Sequence, residues 1–231
     1  MRILSVDTSS VHGSVAVFND GEIVGEVRLA SSIQHSERLF RSLEFLFAHV
    51  GFGLADIDLF VAARGPGSFT GLRVGLAAVQ GFVTACKKPG AGVSTLRALA
   101  WLVRSTDRLL APAIDARRGA VYAGVYRWTG RELVEEQPPV VLKPAEWLSR
   151  LPREPVVLCG DGAHRYREEI MPEAGWTVAP GPFYLAAAMA EMAEAGLAEA
   201  LEPLYIRSPD AQVRREVPHE SGPSPSSAGT A

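Results

Sequence analysis

ILSVDTSSVHGSVAVF (3–18) decides the fold, because the chain repeats its pattern as LLAPAIDARRGAVYAGVY (109–126). In the first copy, the apolar runs at 3–6 and 14–18 read as strands on either side of an acidic turn at Asp7. Asp20-Gly21, ahead of a third run at 23–29, is a strong hairpin signal. In the second copy, Asp115 stands 108 positions after Asp7 and Val125-Tyr126 stands 108 after Val17-Phe18. Gly130-Glu132 falls where Gly21-Glu22 did, give or take an inserted residue. Strand, acidic turn, strand and hairpin occur twice, which predicts an α/β protein of two related lobes, 1–105 and 106–208.

Between the copies the period changes from two to 3.6. Leu39, Phe40, Leu43, Leu46, Phe47 and Val50 recur at helical spacing behind Ser36, a capping residue, and stop at Gly51. A short apolar strand at 59–63 runs into RGPGSFTGLR (64–73), and a second helix follows over 72–86 until Pro89 ends the pattern. Strand 91–93 and a helix over 95–104 complete the first lobe. Beyond the second hairpin, short helices at 144–151 and 164–170 flank a strand at 156–159. An Ala-rich helix over 182–195, with Pro182 in its first turn, closes the second lobe. From residue 209 the chain is polar and ends in SGPSPSSAGTA (221–231). That composition cannot offset its own ordering entropy by burial, so the tail is expected to be disordered.

Composition sets outer limits. Of 231 residues, 47% are hydrophobic and 21% charged, which suffices for a buried core. Lys and Arg number 23 against 26 Asp and Glu, a formal charge of −3, so no global basic field would hold a phosphate backbone unaided. Any RNA is expected to be carried by a partner. Cys86 and Cys159 have neither CxxC nor zinc spacing, which suits free thiols in a reducing compartment. The apolar run before Asp7 is too short for a signal-peptide core or a membrane span. The cytoplasm is therefore the expected location.

Two places invite chemistry. Asp7 ends a buried strand and is followed by Thr8, Ser9 and Ser10, small hydroxyl residues able to face a phosphate. Asp115 repeats the arrangement, and Gly160-Asp161-Gly162 is a turn able to approach a nucleoside. Asp7, Ser9, Asp115 and Gly160 are thus nucleotide-binding candidates, with two acidic turns facing each other across a cleft. Plain turn and helix capping explains the same carboxylates. RGPGSFTGLR carries three glycines at a strand-to-helix junction, but has no Lys-Ser/Thr after them and misses the dinucleotide spacing by one residue. It reads better as a tight turn that lets the helix over 72–86 come close. That helix puts Leu72, Leu76, Val79 and Val83 on one face and Val74, Ala78, Phe82 and Ala85 nearly opposite, with Arg73, Gln80 and Thr84 as a narrow polar strip. Such a helix needs cover on two sides, which predicts a partner surface. Among His12, His35, His49, His164 and His219 no pair has i, i+4 spacing, so neither a metal site nor a catalytic set is expected.

VDTSS (6–10), QHSERL (34–39), ARGPGSFTGLRVG (63–75), DARRG (115–119) and PLYIR (203–207) together resemble the TsaB family, also called YeaZ. The resemblance runs from Met1 to about Arg207. It implies the duplicated actin-like (ASKHA, ribonuclease H-like) fold. It further implies a place in the machinery that makes N6-threonylcarbamoyladenosine at position 37 of tRNAs reading ANN codons. In that family the catalytic paralogue is TsaD, an ATPase called TsaE joins the assembly, and tRNA is met only through the complex. Docking uses the first two helices, which carries over to Leu39, Leu43, Phe47, Arg73, Val74, Ala78 and Phe82. Ala120 departs from the acidic residue common after DARxG.

The resemblance implies a non-catalytic scaffold that needs no cofactor of its own, with weak ATP or ADP binding allowed and homodimers through the same helices plausible. A stand-alone actin-like ATPase or small-molecule kinase is the alternative, resting on Asp7 and Asp115. A peptidase, an older label for the family, finds no nucleophile-base pair here.

Overall fold

The computed structural model describes residues 1–30, 35–105, 107–169 and 175–206; the expected tail at 209–231 lies outside them, as does Gln34. Strands β1 (Arg2–Asp7), β2 (His12–Asn19) and β3 (Glu22–Ala30) form an antiparallel meander, because Asp20 and Gly21 both take positive φ in the turn between β2 and β3. Helix α1 (His35–Phe47) follows. Strands β4 (Leu59–Gly65) and β5 (Gly90–Ser94) then join parallel to β1, connected by helix α2 (Phe69–Cys86). The sheet order is β3-β2-β1-β4-β5.

After α3 (Thr95–Leu102) the plan repeats. Strands β6 (Leu109–Arg117), β7 (Ala120–Trp128) and β8 (Leu133–Leu142) make the second meander, and β9 (Val156–Cys159) and β10 (Trp176–Val178) add parallel strands to β6. The order β8-β7-β6-β9-β10 matches the first sheet strand for strand. Two related α/β lobes are what the repeat predicts, and their duplication is the actin-like fold that the family resemblance implies.

The helices are shared unevenly. α1 and α2 cover the outer face of the first sheet, around Leu4, Val6, Leu43, Leu46, Phe60, Leu76 and Val79. The shorter α4 (Pro144–Ser149) and α5 (Asp161–Arg165) cover the outer face of the second, around Ala111, Val125, Trp147 and Leu158. Between the sheets lie α3 and α6 (Ala186–Glu194), in one core with Ile3, Phe18, Leu96, Leu110, Tyr126, Met189 and Met192. Here they cross: α3, from the first half of the chain, touches β6 and β7, while α6, from the second half, lies on β1 and β2. Trp101 of α3 donates its indole N–H to Glu191 of α6 at 2.8 Å.

Several expected boundaries shift. α6 begins at Ala186, so Pro182 precedes the helix, in a cis peptide with Gly181, and is not in its first turn. The helix expected at 164–170 is α5, which starts earlier because Gly160, at φ +97°, turns the chain directly out of β9. α2 starts three residues before the expected point, at Phe69, with Ser68 accepting from the Gly71 N–H as its cap.

Candidate functional site

The two motif stretches that looked separate in the chain meet in space. Ser68 donates its N–H to the Ser9 carbonyl at 2.7 Å, and the Thr8 hydroxyl donates to the Gly71 carbonyl at 2.7 Å. A Cβ on Gly67 would stand 2.7 Å from the Ser9 carbonyl oxygen, and one on Gly75 would stand 2.5 Å from Thr8 Oγ1. Gly67 of RGPGSFTGLR and Gly75 just beyond it therefore let α2 seat on the VDTSS turn, the close approach expected of this tight turn. Thr8 is used up in that contact.

Asp7 is also turned inward. It is 1% exposed, and its Oδ1 accepts from the Ser9 N–H at 2.9 Å and the Ser9 hydroxyl at 2.6 Å. Burial pushes its carboxyl above the usual range. Ser9, the Leu185 N–H and the nearby Arg38 guanidinium pull the other way.

Asp115 is placed differently. Its Oδ1 accepts from the Arg117 N–H at 3.0 Å, and its Oδ2 meets Arg165 of α5 at 3.2 Å. The cause is register. Ile3 pairs with Phe18 and Leu110 with Tyr126, and all four lie in the core between the lobes. Since alternate residues share a face, Asp7 shares that face with Ile3 and corresponds to Ile114; Asp115 is one residue further on and faces the other way. The expectation of two acidic turns facing each other across a cleft is therefore corrected, although the match of Phe18 to Tyr126 holds.

A cleft of about 630 Å³ does open between the lobes, lined by Ser9, Ser10, His12, Thr95, Leu99, Ile114, Asp115, Asp161, His164, Arg165 and Phe183 among others. Of the four nucleotide candidates, it takes in Ser9 and Asp115. Asp7 lies behind Ser9, and Gly160 lies against β6, where a Cβ would stand 2.3 Å from the Ala113 carbonyl oxygen. Sequence reading singled out Asp161 only as part of its turn and missed His12 of β2, Thr95 of α3, His164 of α5 and Phe183 ahead of α6, which stand on four different segments with no shared spacing. Asp161 accepts the Asp115 N–H at 3.1 Å, and His164 Nε2 bonds the Ala179 carbonyl at 2.9 Å. At both turns, backbone N–H groups that would cradle a phosphate already serve the chain's own carboxylates. Among the described residues no three His, Cys, Asp or Glu side chains gather as a metal site.

The second candidate surface is on α1 and α2. Leu72, Leu76 and Val79 are buried on the sheet side of α2, as expected. The opposite stripe is covered in part by α1, which corrects the inference that its cover must come from a partner: Phe82 lies between Phe60, ring centroids 5.8 Å apart, and Phe40, at 6.5 Å. Val74 and Ala78 are half-buried in the same cluster. Leu39 and Leu43, proposed for the partner surface, are 2% and 5% exposed and belong to the chain's own core, and Phe47 is half-buried against it. What α1 and α2 do leave open is Phe40 at 54%, Phe45 at 60% and Phe69 at 56% exposure, large side chains that spacing alone did not single out as exposed. Arg73 lies over the Phe69 ring at 3.8 Å. By length and composition α2 is the one described helix apolar enough to cross a membrane, with a mean hydropathy of 1.3.

Residues 25–165 match the family model of TsaD, tRNA N6-adenosine threonylcarbamoyltransferase. The tRNA threonylcarbamoyladenosine biosynthesis protein TsaB of Bacillus subtilis (strain 168) is 30% identical over 224 residues, 93% of this chain and 97% of that protein. TsaB of Escherichia coli (strain K12) is 38% identical over 153 residues, and the match spans 62% of this chain and 63% of that protein. Among solved structures, an uncharacterized protein from Pseudomonas aeruginosa with similarity to the peptidase YeaZ superposes with a TM-score of 0.76 at 27% identity, covering 89% of this chain and 99% of that one.

Proposed function

Because the chain belongs to the TsaB (YeaZ) family, we propose that it serves tRNA threonylcarbamoyladenosine biosynthesis as a non-catalytic subunit, docking a TsaD-type transferase through α1 and α2. In this reading the transferase moves the threonylcarbamoyl group to N6 of adenosine 37 in tRNAs reading ANN codons, and TsaE joins the assembly. tRNA meets this chain only within the complex, in the cytoplasm.

The observation that carries the reading is that Phe40, Phe45 and Phe69 are each more than half exposed, on two packed helices whose inner faces are already in the core. Large apolar side chains are costly to leave in water, and aromatic side chains are enriched at association surfaces. The test uses Phe40→Glu with Phe45→Glu, both at exposed positions, so the fold should change by no more than about 0.5 kcal/mol each. Light scattering of the chain mixed with its TsaD counterpart should show the wild-type complex and none with the double variant. An intact complex with the variant sinks the docking assignment.

The alternative, a stand-alone actin-like ATPase or kinase, is favoured by the size of the interlobe cleft, which falls in the range of small-molecule sites. Against it, the carboxylates of Asp7 and Asp115 occupy N–H groups that an incoming phosphate would need. Calorimetry of the isolated chain with Mg-ATP separates the two readings: tight binding with turnover favours the enzyme, and weak or no heat favours the scaffold.

A further inference from the structure

The last described segment, after α6, returns to the first lobe and lies along β5, the open edge of its sheet. Gly92 and Glu199 exchange both backbone hydrogen bonds at 2.8 Å, and the Leu204 N–H donates to the Arg64 carbonyl at 2.7 Å. The edge is stripped of side chains where the segment passes. A Cβ on Gly92 would stand 2.7 Å from the Ala200 carbonyl oxygen, one on Gly90 would stand 2.8 Å from Leu201, and one on Gly65 would stand 3.0 Å from the Leu204 carbonyl oxygen. Three glycines of the first lobe thus fit one stretch more than a hundred residues away.

Side chains lock the same contact. Glu199 presents one carboxylate oxygen to Arg64 and the other to Arg97, the latter at 3.1 Å, and Arg64 Nε also donates to the Glu202 carbonyl at 3.1 Å. The side chains of Arg64 and Arg97 are 13% and 24% exposed, so without Glu199 their two positive charges would stand near each other with little water to screen them. Beyond the lock, Pro203 and Tyr205 complete a groove of about 300 Å³ against Phe69, Arg73 and Leu76 of α2. Tyr205 is 60% exposed on its rim.

We propose that residues 197–206 form a strap pinned by Glu199, and that the strap supplies Tyr205 as one end of the surface that receives the transferase partner. This rests on the docking reading above and divides that surface in two. The end formed by Phe40 and Phe45 belongs to α1 alone, whereas the end formed by Phe69, Arg73 and Tyr205 is complete only while the strap is seated. The partner is the same one, because Phe69 and Arg73 lie on the docking helix itself and continue its exposed side. Glu199 acts from behind the surface as a positioning residue.

The experiment compares Glu199→Ala, Tyr205→Ala and the Phe40→Glu, Phe45→Glu double variant in the full chain, by amide hydrogen exchange and by calorimetric titration with the TsaD counterpart. Glu199→Ala should speed exchange at Gly92 and Leu204 at least about tenfold while β1 is unchanged, since lost local anchoring raises local opening first. It should also weaken partner binding about tenfold. Tyr205→Ala should weaken binding similarly with unchanged exchange. Unchanged exchange in Glu199→Ala overturns the pin, and full affinity in both strap variants overturns the composite surface. If the strap variants bind fully while the phenylalanine variant does not, the strap inference alone fails. If no variant weakens binding, or the wild type forms no complex, the docking reading falls and takes the strap with it.

Discussion

The C-terminal ends of β1 and β6 hold the same station in two sheets of identical order, and each is gripped by glycines at or just before the helix that follows its parallel neighbour. In the first lobe Gly75 of α2 sits on Thr8. In the second, Gly160 and Gly162 sit on Ala113 and Ile114. Yet the first aspartate lies wholly buried behind Ser9, while the second, its side chain 9% exposed, lines the cleft beside Arg165. The difference teaches that the duplicated frame preserves close helix-to-strand contact, while a slip of one residue decides what each turn offers to solvent.

The sharpest way to break this comparison is to add a methyl group at each grip. Gly160→Ala combines φ +97° with a Cβ 2.3 Å from a backbone oxygen that cannot move alone, and should cost roughly 3–5 kcal/mol. Gly75→Ala meets only the movable Thr8 hydroxyl, 2.5 Å away, and should cost about 1 kcal/mol through loss of the Thr8–Gly71 hydrogen bond. Urea titration measures both, and an equal or reversed order would show that backbone rigidity does not set the cost at these grips.

A smaller effect sharpens the contrast between the aspartates. Asp7→Ala strands the buried Ser9 N–H and hydroxyl and should cost about 2 kcal/mol. Asp115→Ala loses the Arg117 N–H bond and a pair with a largely exposed arginine, worth about 1 kcal/mol or less together. Equal costs in thermal denaturation would mean that both carboxylates are equally structural.

The smallest effect is in pH dependence. Asp7 has a raised folded-state pKa, so the folded protein holds that proton more tightly than the unfolded chain does. Its stabilising contribution is complete below the ordinary carboxylate value near about 4 and is lost as pH rises through the raised value. Wild type should therefore gain melting temperature over Asp7→Asn between pH 7.5 and pH 4. A constant difference across that range would mean that Asp7 titrates alike in both states.

Much of this was legible along the chain. The two meanders, the hairpin at Asp20-Gly21 and the tight RGPGSFTG turn rest on signals carried by adjacent residues, and all appear where expected. The candidate sites were legible only in part. Ser9 and Asp115 reach the cleft, whereas His12, Thr95, His164 and Phe183 share no spacing because the cleft gathers them from a strand, two helices and a loop far apart in the chain. Leu39 and Leu43 fit the helical period of α1, but periodicity cannot tell a face turned to the chain's own sheet from one turned to a partner.

By itself, then, the sequence determined the strands, the turns, the duplication and the family, since these follow from local backbone preference and short repeats. The tertiary structure alone decided that Asp7 is buried behind Ser9 while Asp115 borders the cleft, because both strands are buried on both faces and a one-residue slip leaves no mark in such a run. It alone decided that α1 shares the cover of α2, that α3 and α6 trade lobes, and that Glu199 reaches Arg64 and Arg97. Each of these is a contact between segments far apart in the chain, chosen by which surfaces fit once the sheets exist.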